Sequence, residues 1–250
     1  MKKILIVGAT SVIAEQCARL WVTRSAEGVD MVLVGRTAER LEQIAQDLRV
    51  RSASSRIQTL VSGFVTPEEV QAGVDAALAL LGQIDLVLVA HGSLPDQGEC
   101  QAALGKVSDA VTVNALSPVL FAEAIAAVLE RQRAGTLGVI GSVAGDRGRK
   151  SNYVYGAAKA LVATYLQGLQ HRFAGTPVRV TLIKPGPTDT PMTAHLKGSG
   201  TVLADSAEVA ALIVAGMDAG KAVIYAPVKW RLIMWVIRHL PAGIFNRLNI

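Results

Sequence analysis

Seven short runs of β-branched and aliphatic residues recur along this chain, separated by longer stretches of helical periodicity. The runs cover 3–7, 31–34, 57–61, 85–89, 136–140, 178–183 and 222–225. The helical patterns lie near 12–26, 38–50, 67–81, 107–132, 152–173 and 206–219. A run such as Leu86-Val87-Leu88-Val89 has no alternating polar face, which marks a strand covered on both sides, as in parallel sheets. Parallel neighbours need crossover connections, and these are right-handed. The alternation therefore predicts an α/β fold: a Rossmann-like, doubly wound parallel sheet of about seven strands. No repeat or linker interrupts it, and the prolines of 185–191 read as a loop inside the domain. One domain over 1–226 is expected, with 227–250 as its basic, amphipathic C-terminal extension.

Ligands of such sheets bind beyond the carboxyl ends of the strands. Gly8, Gly35-Arg36, Ala90-His91-Gly92, Ser142 and Pro185-Gly186 fall at those ends. The first turn, Gly8-Ala9-Thr10-Ser11-Val12-Ile13-Ala14, is the strand–glycine–helix setting in which a dinucleotide pyrophosphate meets a helix N-terminus. Val12 and Ala14 stand where further glycines are expected. Ala14 preserves close packing, Val12 restricts backbone approach, and Thr10 and Ser11 offer donors in compensation. An ordinary turn with an N-cap has the same appearance. After the second run there is no acid for a ribose 2′-hydroxyl; Arg36 there suits a 2′-phosphate, so NADP(H) is favoured over NAD(H). The alternative for Arg36 is a solvated charge flanking the next helix.

The stretch 141–159 opens with Gly141-Ser142, crosses a basic loop and enters a helical pattern. Tyr155 and Lys159 lie one turn apart on one face of that pattern. Such a set can assist hydride transfer from a reduced nicotinamide to a carbonyl carbon. Ser142 hydrogen-bonds the oxygen on which charge develops, and Tyr155 protonates it. Lys159 lowers the pKa of the phenol and can bond the nicotinamide ribose.

On these residues the chain resembles the short-chain dehydrogenases/reductases, over about residues 3–226. Val113-Asn114-Ala115 matches that family's helical asparagine, and Ser142, Tyr155 and Lys159 match its catalytic serine and Tyr-x-x-x-Lys pair. The run from Pro185 and Gly186 through Thr188 to Thr190 matches its cofactor loop. Ala90-His91-Gly92 occupies its Asn-Ala-Gly turn, with His91 unusual there, and Gly63-Phe64 replace its adenine-side acid. The resemblance implies catalytic roles for Asn114, Ser142, Tyr155 and Lys159, with Asn114 holding a water that links Lys159 to solvent. A buried asparagine bonded to helix backbone is compatible with that role. The remaining alternatives are a reductase of a soluble or acyl carbonyl and a non-catalytic nucleotide-binding protein.

The net charge of +5 resides entirely in 221–250, which hold Lys221, Lys229, Arg231, Arg238 and Arg247 and no acid. This excludes a general nucleic-acid surface and points to a local anionic partner, a phosphorylated ligand or a membrane face. Cys17 and Cys100 form no metal or disulfide framework and read as reduced thiols. With no secretory signal and no unbroken apolar run of bilayer length, a cytoplasmic protein is expected.

Three segments carry a narrower similarity, to reductases of polyprenyl-phosphate-linked 2-keto-pentoses. They are Asp146-Arg147-Gly148-Arg149-Lys150, the segment 190–197 with His195, and the C-terminal 229–248. That similarity implies a lipid-phosphate-linked sugar substrate and a flavin-dependent oxidase that makes the ketone. Arg36 departs from the NADH use it also implies. Arg147, Arg149 and Lys150 are candidate phosphate contacts, or solvated loop charges, and His195 is a candidate substrate contact. Trp230, Ile233, Met234, Ile237 and Leu240 recur at helical spacing, with Arg231 and Arg238 on another face. Such a helix can lie in a bilayer interface at the inner face of the cytoplasmic membrane, or pack in the fold or a dimer contact. A homo-oligomer is expected.

Overall fold

The computed structural model describes residues 1–198 and 200–248. Its strands are β1 (Lys2–Val7), β2 (Val29–Gly35), β3 (Arg56–Val61), β4 (Leu86–Val89), β5 (Gly135–Ile140), β6 (Val178–Pro185) and β7 (Val223–Ala226). All pair in parallel, in the order β3-β2-β1-β4-β5-β6-β7. The helices are α1 (Val12–Arg24), α2 (Ala38–Arg51), α3 (Pro67–Leu81), α4 (Gln97–Ala102), α5 (Leu104–Val111), α6 (Ser117–Gln132), α7 (Tyr153–Arg172), α8 (Ser206–Asp218), α9 (Lys229–His239) and α10 (Ala242–Phe245).

The apolar runs have the expected cause. In β1, Leu5 and Val7 enter the core shared with residues of α3, α6 and α7, whereas Ile4 and Ile6 enter the one shared with α1, α2 and α8. Both faces of the strand are covered, so both parities must be apolar. Strand order reverses at β1, between β2 and β4, and the loops leaving β1 and β4 part there to open a crevice.

Two helical expectations are corrected. The helix expected over 107–132 starts at Leu104 and is broken by a π-turn, Thr112–Leu116, in which Ser117 N–H donates to the Thr112 carbonyl. Pro118, which has no N–H to donate, follows directly in the first turn of α6, and the widened turn accommodates it. By length and hydropathy, Leu104–Gln132 could also cross a bilayer, against the expectation that no apolar stretch has bilayer length. Half of its apolar window is buried in the domain, so it serves as a core helix. The short α4 went unpredicted; its N-cap is Asp96, whose side chain accepts from Glu99 N–H at 2.9 Å.

The C-terminal extension forms α9 and α10 and packs on the domain; its last two positions lie outside the described residues. The apolar stripe picked out by periodicity faces mostly inward: Met234 is buried and Trp230, Ile237 and Leu240 are half-buried. The opposite side exposes a second apolar set, Val228, Leu232, Trp235 and Val236.

Candidate active site

A cavity of about 430 Å³ opens at the carboxyl edge of the sheet. Its walls bring together the first turn (Gly8, Thr10, Ser11, Val12, Ile13), Arg36, Ala90-His91-Gly92, Ser142, Tyr155, Lys159, and Pro185, Gly186, Thr188 and Thr190. Gly8 has φ +79°, and a Cβ there would sit 2.6 Å from the His91 backbone nitrogen, so the turn requires glycine. Ser11 caps α1 in an extended conformation with no side-chain cap bond. Its hydroxyl and the first amides of α1, which have no intrahelical acceptor, suit a pyrophosphate. Arg36 and Arg40, after the end of β2, both line the cavity and form no ion pair among the described residues. Arg40 was not singled out in the sequence, although it stands four residues after Arg36. This donor set fits a dinucleotide with a 2′-phosphate.

The chemical centre is drier. The Ser142 hydroxyl accepts from Ala144 N–H at 3.1 Å and lines the cavity with Tyr155. Burial pushes the Tyr155 pKa up to about 12, opposed by the Ser142 hydroxyl. Lys159 is 3% exposed and donates to the Ile140 carbonyl at 3.0 Å. Its Nζ lies 5.8 Å from the Tyr155 ring centroid, and burial lowers its pKa to about 8. Asn114 sits in the π-turn, behind the wall. Its Oδ1 accepts from Ser93 N–H at 2.8 Å and its Nδ2 donates to the Ala110 carbonyl at 2.9 Å. A Cβ at Gly92 would lie 3.0 Å from Asn114 Oδ1 and 3.5 Å from Lys159 Nζ, so this glycine keeps the approach between the two open.

His91 is a structural wall residue. Its Nε2 bonds Ser117 Oγ at 2.8 Å, and its ring packs edge-on against Phe64 and Phe121. Burial, then the charges of Lys159 and Arg36, push its pKa down to about 3. It therefore stays neutral at physiological pH. Phe64, at the position of the missing adenine-side acid, lines the same cavity. These values fix a pH dependence. The Lys159 ammonium is present below about pH 8 and is lost above it. The kcat/KM for carbonyl reduction should therefore be level on the acid side, with no limb from His91, and fall as pH rises through about 8. A pH–rate profile checks this, and Lys159→Arg, permanently charged, should remove the alkaline limb from whatever activity remains.

The four candidate substrate contacts separate. Arg147 turns away from the cavity. Its Nη1 donates to the carbonyls of Ile237 at 2.5 Å and Leu240 at 2.7 Å, and its guanidinium lies 3.7 Å over the Phe245 ring. It caps the C-terminal end of α9, whose last carbonyls have no helical donor. Arg147→Ala should cost about 1.5–3 kcal/mol of stability. It should leave the KM for a small ketone unchanged; thermal unfolding together with steady-state kinetics checks both. Lys150 is exposed and off the wall. His195 is exposed on the turn Pro191–Leu196, which presents Met192, Thr193 and Leu196 to the cavity instead.

Arg149 alone lines the cavity. Burial holds its pKa below the usual guanidinium value, with Asp146 opposing. Asp146 is itself engaged by Lys184 at 2.5 Å and Tyr225 at 2.9 Å. Arg149 makes no ion pair among the described residues, and its buried Nε has no partner there. Asn152 Oδ1, three residues on, and Gln97 Nε2 are also buried without partners among the described residues, and Gln97 Oε1 accepts from Val154 N–H at 3.2 Å. Asn152 was missed in the sequence.

Comparison with known proteins agrees with this geometry. The short chain dehydrogenase family pattern matches residues 2–199. An uncharacterized oxidoreductase of Streptomyces coelicolor is 33% identical over 250 residues, covering 99% of this chain and 96% of that one. Another, from Staphylococcus epidermidis, is 33% identical over 196 residues, covering 77% and 80%. Among solved structures, a short-chain dehydrogenase from Sphingobium yanoikuyae in complex with NADPH superposes with a TM-score of 0.82 at 24% identity, covering 100% and 97%. Levodione reductase gives 0.79 at 22%, covering 90% and 95%.

Proposed function

The chain belongs to the short-chain dehydrogenase/reductase family and is an NAD(P)H-dependent oxidoreductase, and on that premise we propose that it reduces the ketone of a lipid-phosphate-linked 2-keto-pentose. Arg149 carries the substrate reading. A largely buried guanidinium without a counter-ion, in the same cavity as Ser142 and Tyr155, is expensive unless a ligand anion completes it. A phosphodiester suits its planar donors.

The Gly8–Ile13 turn, Arg36 and Arg40 would hold NADPH, which would supply the hydride to the carbonyl carbon. The preference for NADPH rests on Arg36 and Arg40, in keeping with the NADPH bound by the Sphingobium neighbour. Ser142 turns its hydroxyl proton to the carbonyl oxygen and stabilises the charge developing there. Tyr155, a phenol throughout the neutral range, passes its proton to that oxygen. Lys159 stabilises the resulting phenolate. Asn114 holds the loop after β4 and the turn beside Lys159, where a water can return the proton.

Before this step, a separate flavin-dependent oxidase would generate the ketone at the inner face of the cytoplasmic membrane. Self-association would bury Val111, Leu116 and Leu161, which stand exposed on α5, the π-turn and α7. Nicotinamide fluorescence tests the whole reading, with NADPH or NADH and a 2-keto-pentose bearing or lacking a polyprenyl phosphodiester. NADPH oxidation that is faster with the phosphodiester supports it. No oxidation of either cofactor, or equal rates with the two ketones, removes it.

A further inference from the structure

We propose that the outer face of α9, with α10, docks on an anionic lipid surface. The two sides of α9 have different tasks. The inner side is fixed to the walls of the active site: Trp230 lies against Gly186, where a methyl group would run into the indole, and Arg147 holds the carbonyls of Ile237 and Leu240. Gly186 lines the catalytic cavity, and Arg147 belongs to the loop between Ser142 and Tyr155. Any surface that seats α9 therefore also sets the position of the cavity.

The outer side is apolar and uncovered. Leu232 is 68% exposed, Trp235 60% and Val228 62%, and Ile244 extends the strip onto α10. With Tyr225, Arg231 and Arg238, the first three of these line a shallow groove of about 440 Å³. Lys229, Arg231, Arg238 and Arg247 make no ion pair among the described residues, and residues 221–248 hold no carboxylate side chain. Exposed aliphatic residues and a tryptophan, flanked by unpaired cations, match an interface of acyl chains beneath anionic headgroups.

Charge decides against a second copy of this chain. A two-fold contact would set this patch against itself, cation to cation, with no acid to relieve it. The surface stands on its own geometry. Its use, bringing the cavity to a lipid-borne ketone, rests on the proposed function.

The test is co-sedimentation of the full chain with phosphatidylcholine vesicles, with and without phosphatidylglycerol, for wild type and the exposed double variant Leu232→Ser/Trp235→Ser. Wild type should bind the phosphatidylglycerol vesicles, weaken with salt, and lose ~10-fold or more in affinity in the double variant. Reduction of a water-soluble ketone, measured on the same samples, should be unchanged; it reports on the active site independently of docking. Absence of binding by wild type, or equal binding by the two proteins, overturns the proposal. So does a wild-type oligomer that the double variant dissociates in the absence of lipid, because the face would then be a contact between copies.

Discussion

Tyr155→Phe is expected to retain NADPH binding and to lose ketone reduction by ~10²–10⁴-fold, about 3–5 kcal/mol of transition-state stabilisation. The substitution removes one oxygen from the cavity wall and leaves the ring in place. Gly8, Ser11, Arg36 and Arg40, the proposed cofactor contacts, are untouched, so fluorescence of bound NADPH should change little. The chemical step, by contrast, loses its only proton donor on the reacting oxygen. Ser142 can hydrogen-bond the reacting oxygen but cannot replace the phenol as proton donor, because an aliphatic hydroxyl is a far weaker acid. Lys159 is held at the Ile140 carbonyl, 5.8 Å from the ring centroid. Turnover close to that of wild type would remove Tyr155 from the role of acid.

Asp146→Ala is the second large effect, and it bears on the fold. The Asp146 carboxylate and Lys184 ammonium pair at 2.5 Å with side chains 2% and 8% exposed, and Tyr225 donates to the other carboxylate oxygen at 2.9 Å. These contacts join the loop after β5 to the ends of β6 and β7. Removing one partner strands a buried ammonium, which costs about 3–5 kcal/mol. For a chain of this size the melting temperature should fall by roughly 10 °C. The double variant Asp146→Leu/Lys184→Met should recover most of that loss, because an apolar pair of similar volume avoids the desolvation of two charges. Equal melting temperatures for wild type and Asp146→Ala would show that the pair contributes nothing.

The seven strands, and the residues proposed as the catalytic set, were legible because each leaves a local signature. Doubly covered strands are apolar at both parities, as in β1, and Tyr155 and Lys159 share a helix face by spacing alone. Interactions without local signature were not legible. Arg147 looked like a phosphate contact because its neighbours are basic; its actual partners, Ile237 and Leu240, lie some ninety residues away in sequence and are brought to it by tertiary packing. The π-turn around Asn114 breaks no hydrophobic period, and Pro118 was its only visible trace. On α9 the chain carries two apolar stripes, and periodicity cannot say which one the domain will cover; Met234 and Trp230 settle it by packing. Arg40, one helical turn after Arg36, has no signature that separates it from the other charges of α2.

The substrate claim stands or falls on Arg149. The decisive measurement is the ratio of kcat/KM for a 2-keto-pentose phosphodiester to that for the same ketose without phosphate, in wild type and in Arg149→Ala. A charge-assisted, bidentate contact predicts a ratio of ~10-fold or more in wild type, collapsing toward unity in the variant through loss of the phosphodiester alone. A ratio that survives the substitution, or a wild type indifferent to the phosphate, would contradict it.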